Sequence, residues 1–417
     1  MKRINIALKI LAVASVVFFS VYSYIKVPVL TNGFASYYTT SRMLYEGEDL
    51  SRGYEPDFFN RKINEYGFKN LYDLFNIIPT VALVYYPVAV LTPENAKLVW
   101  SIFSIILLLL SAYILFKTFN LKLNNGSHIF FLIIIFLYHP VYENIALGQI
   151  YIFLLFLFSL CLYGFSRDIK ILKILPVTLG VMFKGYGVLY FLWLPAVKKY
   201  KIFFASLFLL IILFLVSLTI IHISVWKTFI TMILSNMGRN YEDSNVAYQT
   251  VNGFLRHLLI FNKDYNPFPL ADINPNIVFA SVVIIDLFII IMLIRKSRQF
   301  QDVNDFNLLS LSAILASSVV TAPVAEEYSF TLFIPVIIAL GCLLFKVGAN
   351  NPVRLITGPR ILYVFAVLEI MLPFHYKHMQ NYAFPSYLLA YPKLYGGLIL
   401  LGIYIWMPVP KTVKQIT

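Results

Sequence analysis

Apolar runs of bilayer-spanning length recur from end to end of this 417-residue chain, which leaves few folds open to it. A hydrocarbon layer offers no water to backbone N–H and C=O groups, so only α-helices and closed barrels cross it, and a crossing helix takes about 20 mainly apolar residues. Runs of that kind extend from Ile4 to Ile25, Leu98 to Phe116, Ile129 to Val141, Ile150 to Phe165, Ile202 to Val225, Ile277 to Ile294, Leu308 to Val320, Ser329 to Phe345, Ile361 to Phe374 and Tyr387 to Trp406. The stretch Ile171 to Val197 is interrupted by Lys184, Gly185 and Gly187 and reads as two shorter helices meeting at a polar break. The expectation is an all-α polytopic protein, residues 1–417 forming one membrane domain with about 12 spans. Composition agrees: 60% hydrophobic residues, 13% charged and a mean hydropathy of +0.78 do not describe a soluble core.

Charge orients the spans. With the amino terminus inside, 19 of the 33 Lys and Arg but only three of the 20 acids fall in the cytoplasmic segments. The cations are Lys2, Arg3, Lys9, Lys117, Lys122, Arg167, Lys170, Lys173, Lys198, Lys199, Lys201, Arg295, Lys296, Arg298, Lys346, Arg354, Arg360, Lys411 and Lys414, and the acids are Asp168, Asp302 and Asp305. That partition obeys the positive-inside rule with both termini cytoplasmic. The net charge of +13 therefore reports membrane orientation and calls for no nucleic-acid partner. The amino-terminal run ends in bulky Phe18, Phe19, Tyr22 and Tyr24 with no small-residue cleavage site, the pattern of a retained signal anchor.

Two outer segments are too long to be turns: 26–78, expected to carry amphipathic helices on or near the membrane surface, and 226–276. Asn76 to Pro93, apolar but short and broken by Pro87, reads as a re-entrant or interfacial helix. Polar residues gather in three outer turns, His139 to Gln149, Phe183 to Gly187 and Thr321 to Tyr328. Polar groups are costly at membrane depth, so such turns point to a cavity for a polar ligand; helix caps and snorkelling side chains are the plain alternative.

These segments carry a family resemblance. Gly33-Phe34, Tyr37-Tyr38 and the Leu-containing helix to Gly47, the helix Pro79 to Pro87 followed by Pro93, Ala96 and Trp100, the Asn144 to Gln149 turn, Lys184, Gln249 to Arg256 and Thr321 to Tyr328 resemble, in that order, the motifs of glycosyltransferase family 87. That family comprises membrane enzymes of C-type architecture, including bacterial mannosyltransferases that use polyprenyl-phosphate mannose. The resemblance implies a hexosyltransferase taking a mannose-like sugar from a polyprenyl-phosphate donor to a hydroxyl of a glycan or glycolipid acceptor, at the outer face of a bacterial inner (plasma) membrane. Two positions depart from the pattern: Gly33 stands where the family has the Asp taken as general base, and Tyr328 where a His is expected.

Such a transfer needs a base for the acceptor, donors for the departing phosphate and groups that orient the sugar. Lys184, at the helix break, is the best-placed cation and Arg42 the second; Asn144 and Gln149 offer amides, and the resemblance adds Tyr37, Tyr38 and Tyr328 to the substrate-binding set. With Gly33 unable to act, the base is sought among the outer acids, which are Glu46, Glu48, Asp49, Glu55, Asp57, Glu65, Asp73, Glu143, Glu326 and Glu327; Glu326 and Glu327 are preferred for their place beside the other motif turns. No cofactor motif and no metal-ligand spacing is visible, and the mechanism expected is an inverting, metal-independent transfer. Two rival readings stay open: a catalytically inactive relative that binds lipid-linked glycan, and a lipid-linked glycan transporter, against which the missing counterpart to the break at Lys184 argues.

Overall fold

Helices α1 (Lys2–Lys26), α2 (Asn32–Glu46), α3 (Pro56–Glu65), α4 (Val81–Tyr85), α5 (Pro93–Thr118) and α6 (Gly126–Leu137) open a computed structural model that describes residues 2–122, 126–236, 238–299, 304–346 and 357–408. They are followed by α7 (His139–Leu147), α8 (Tyr151–Ser166), α9 (Lys170–Lys184), α10 (Leu189–Ala196), α11 (Tyr200–Ser217) and α12 (Ile223–Thr228). The chain ends with α13 (Val251–Leu259), α14 (Pro275–Gln299), α15 (Asn304–Val320), α16 (Ile334–Lys346), α17 (Thr357–Met371) and α18 (Pro392–Trp406). Among the described residues there is no named β-strand.

Five helical segments are long and apolar enough to cross a membrane: Ile6–Lys26, Pro93–Thr118, Tyr200–Ser217, Pro275–Gln299 and Glu327–Phe345. The pair Ile129–Leu137 and His139–Leu147, bent by 42°, makes a sixth if it is one broken span. Tyr151–Ser166, Ile223–Leu234, Asn307–Val320 and Pro392–Trp406 are apolar but shorter. Helices α8, α15 and α16 form the buried centre, where residues 308–317 are inaccessible turn after turn. At the rim, α11 and α14 expose Phe204, Phe208, Leu215, Ile284 and Phe288, side chains that water would not tolerate in such a patch and lipid does. Asp286 lies on α14, and its Oδ1 is buried without a hydrogen-bond partner.

Three local expectations are corrected. Helix α2 is enclosed by protein rather than buried on one face only: Phe34 through Ser41 are all buried, because that stretch is apolar or weakly polar on every side and its hydroxyls bond inward, Ser41 to Tyr37 O and Ala82 O. The segment 76–93 is reduced to α4 and one 3-10 turn, since Pro79, Pro87 and Pro93 leave no longer helix free of breaks. His139 to Leu147 is a helix rather than a turn, started by Pro140 in its first turn and stopped by Gly148, whose φ of +60° needs no Cβ.

Loop ends assigned to one side by charge are neighbours. Ser166 donates to Thr118 O (3.5 Å), Arg167 to Lys117 O (3.4 Å), and the Lys296 ammonium to Met407 O. Asp302, Arg354, Lys411 and Lys414, which also entered that assignment, lie outside the described residues.

Candidate functional site

The site is built around the end of α7. Three side chains from the proline-bounded segment and α5 hold the carbonyls at that end: Lys97 donates to Ala146 O (2.6 Å), Tyr85 to Gly148 O (2.9 Å) and Trp100 to Gln149 O (3.4 Å). The Gln149 N–H closes the turn on Asn144 O at 2.9 Å. Lys97, fully buried, also reaches Val29 O, drawing the lead-in to α2 against the same turn. There Gly33 abuts Gln149: a Cβ at residue 33 would run into Gln149 Nε2.

Gln149 Oε1 accepts from the Tyr37 hydroxyl (3.0 Å), which accepts in turn from the Lys184 ammonium (2.8 Å). Tyr37 is fixed by stacking on Tyr85, centroids 4.7 Å apart and planes parallel. Lys184 ends α9, where Gly185 takes φ +78°, and Thr80 anchors that helix by donating to Met182 O. Its ammonium lies 5.1 Å from the Tyr37 ring centroid and 5.9 Å from that of Tyr151. Among the described residues it has no carboxylate within 4.0 Å, the condition in which an ammonium can still take an anionic ligand.

Two acids act on Lys184 electrostatically from beyond ion-pair distance, Asp73 and Glu326. Asp73 is held by Asn60, which bonds both its backbone N–H and its carbonyl, while Asp73 Oδ1 accepts from the Leu74 N–H at 2.8 Å. Burial pushes the Asp73 carboxyl up to about 7; the Leu74 N–H opposes the rise, the charge of Glu326 adds to it and Lys184 opposes it. Glu326 is also raised by burial, against the pull of Lys377 at 4.0 Å and of the Tyr328 hydroxyl that donates to its Oε1 at 2.9 Å. Tyr151, Tyr186 and Tyr328 complete the wall, the first two with hydroxyls 3.5 Å apart.

Tyr37, Gln149, Lys184, Glu326 and Tyr328 thus come together, and the other expected site residues do not join them. Glu327 is saturated: His139 Nδ1 at 2.7 Å, Lys393 Nζ at 2.8 Å and the Tyr376 hydroxyl at 3.2 Å leave it no capacity for a substrate proton. Asn144 spends its amide on Pro140 O, Tyr328 O, Thr331 Oγ1 and the Tyr151 N–H. Tyr38 donates to Leu91 O, and Arg42 is engaged by Glu46 (2.6 Å) and Ala89 O (2.8 Å). Asp73 is one of the ten outer acids and not among the preferred ones; the signal that sets it apart is an acid flanked by Leu71, Tyr72, Leu74 and Phe75. Among the described residues no three His, Cys, Asp or Glu side chains gather in a metal-holding group.

The sequence profile described as Glycosyltransferase family 87 matches residues 79–323. Gln149 and Lys184 lie inside that stretch, Tyr37, Asp73 and Glu326 outside it. No curated protein and no solved structure matches the chain. With more than half of its length matched and its helices apolar enough for several membrane crossings, the chain belongs to glycosyltransferase family 87 and is a multi-pass membrane glycosyltransferase.

Proposed function

We propose that this protein is a hexosyltransferase of C-type architecture that moves a mannose-like sugar from a polyprenyl-phosphate donor to a hydroxyl of a glycan or glycolipid, with inversion at the anomeric carbon. The observation that carries the proposal is the Lys184 ammonium, held on Tyr37 without a carboxylate partner and beside a half-buried acid. In this reading Asp73 takes the proton of the acceptor hydroxyl as its oxygen bonds to the anomeric carbon. The C–O bond to phosphate breaks with its electron pair, and Lys184 receives the departing anion. Tyr37 and Gln149 fix the position of the ammonium, and Glu326 with Tyr328 faces the sugar.

Gly33, at the position the resemblance gives to an aspartate, is consistent with this division of labour. Gln149 Nε2 stands where that side chain would begin, and Asp73 supplies a base from another segment. The charge partition further supports a bacterial inner membrane setting with about 12 crossings, both termini in the cytoplasm and the site on the outer face. In this reading residues 1–417 form one membrane domain whose long outer segments are 26–78 and 226–276.

The test is to incubate purified protein with polyprenyl-phosphate mannose and follow sugar transfer or slow donor hydrolysis. Turnover is expected in the wild type and a loss of roughly 100-fold or more in Lys184→Ala, the scale on which removal of one donor to a developing anion acts. Unchanged turnover in the variant removes Lys184 from the mechanism. A wild type that binds the donor and never turns it over favours the inactive lipid-glycan-binding relative.

A further inference from the structure

A half-open cleft of about 150 Å³ separates the two long connecting segments, lined by Tyr54, Asn76, Asn240, Glu242, Asp243 and Tyr248 among others. One wall is aromatic and rigid: Tyr54 stacks on Phe75 with centroids 4.4 Å apart, and its hydroxyl donates to Ile77 O at 3.1 Å. The opposite wall is polar. Asp243 is buried, accepts from the Asn240 N–H at 2.9 Å and is faced by the Arg256 guanidinium, whereas Glu242 is exposed at the rim.

The cleft adjoins Asp73, the base in the reading above. Leu74, the residue after Asp73, lines it, as does Val324, two residues before Glu326. Tyr248 feels the charges of Asp73 and Glu326 as well as those of Glu242 and Asp243, so it stands between the two groups. Aromatic faces that cover C–H surfaces, together with carboxyl and amide groups that fix hydroxyls, are what a sugar ring requires. Among the described residues that line it there is no Lys, Arg or His, in contrast to the Lys184 side of the site.

We propose that this cleft is the acceptor subsite, and that it takes a neutral glycoside in preference to a uronate or a sugar phosphate. The assignment rests on the hexosyltransferase reading for the word acceptor and on the cleft alone for its binding preference. A second carboxylate or phosphate brought into the cleft meets the like charge of exposed Glu242, and the cation that answers Asp243, Arg256, is buried outside the lining, while a neutral ring loses nothing. The two substrates are thereby sorted by charge, the anionic donor to Lys184 and the uncharged acceptor to the opposite wall.

Direct binding tests this without any turnover. The full chain in nanodiscs is titrated calorimetrically with octyl α-mannoside and with the matching octyl mannuronate, in the absence of donor. The mannoside is expected to bind about tenfold tighter or better, Tyr248→Ala to weaken it by about tenfold, and Glu242→Gln, at an exposed position where the fold is not at stake, to narrow the gap between the two probes. Equal affinity of the wild type for both probes, no affinity for the mannoside, or a gap unchanged in Glu242→Gln would overturn the assignment. Donor turnover is read separately with polyprenyl-phosphate mannose, so absence of turnover with mannoside binding intact counts against the enzyme reading and leaves the cleft's preference standing.

Discussion

Two clusters of buried charge lie within a few residues of one another along the chain, at Glu326 and at Glu327, and they are built to opposite ends. Glu327 is met by His139, Lys393 and Tyr376, so that α7, the 3-10 turn before α16, and α18 are pinned at one point with every charge answered. Lys393 adds bonds to Ile370 O and Leu372 O, tying in the end of α17. Around Glu326 the pairing is loose: Lys377 reaches it only at 4.0 Å, Lys184 bonds a phenol, Asp73 bonds a backbone N–H, and neither acid comes within 4.0 Å of the Lys184 ammonium. A buried ion pair that is complete holds structure together, whereas one left open retains the capacity to bind and to exchange protons. Adjacent glutamates of the same sequence motif therefore serve different ends.

Substitutions at the two clusters should part the functions cleanly. Asp73→Asn, which keeps shape and removes the base, should cost about 10²- to 10⁴-fold in transfer with little change in melting temperature; transfer at the wild-type rate would return the search for the base to Glu326. Lys393→Met leaves Glu327 buried with one cation fewer and should lower unfolding stability by about 3–5 kcal/mol, seen as early thermal unfolding in detergent, while the same change at Lys184 should not. Gly33→Ala forces the Gln149 amide to move and should cost about 1–3 kcal/mol of stability, with reduced transfer as Tyr37 loses its acceptor. The smallest effect is on pH dependence. Because the Asp73 carboxyl sits at about 7 and is useful only when ionised, the transfer rate should be level above that pH and fall about tenfold per unit below it. A profile flat down to pH 5 would mean that a different group accepts the proton.

Much of this site was legible in the sequence, and the misses have a common physical origin. Lys184 announces itself as a cation at a glycine-rich break between apolar helices, and Gln149 as a polar residue after a left-handed Gly148; both arise from local chemistry that a sequence displays. Glu327, Asn144 and Arg42 look as available as their neighbours, yet each is spent on partners as far away as residue 393, residue 331 and residue 89. Asp73 errs the other way: one carboxylate among several in its segment, it is singled out only because Asn60 turns that stretch inward beside Lys184 and Glu326.

By itself the sequence determined that the chain is helical and membrane-embedded, because continuous apolar runs of about 20 residues suit a crossing helix and not the shorter alternating strands of a barrel, and it determined the family through motifs whose order survives. Which acid is neutralised and which is left to react was decided only in three dimensions. Desolvation and pairing act over a few ångströms between residues far apart in the chain, and the spacing of a sequence carries no record of those distances.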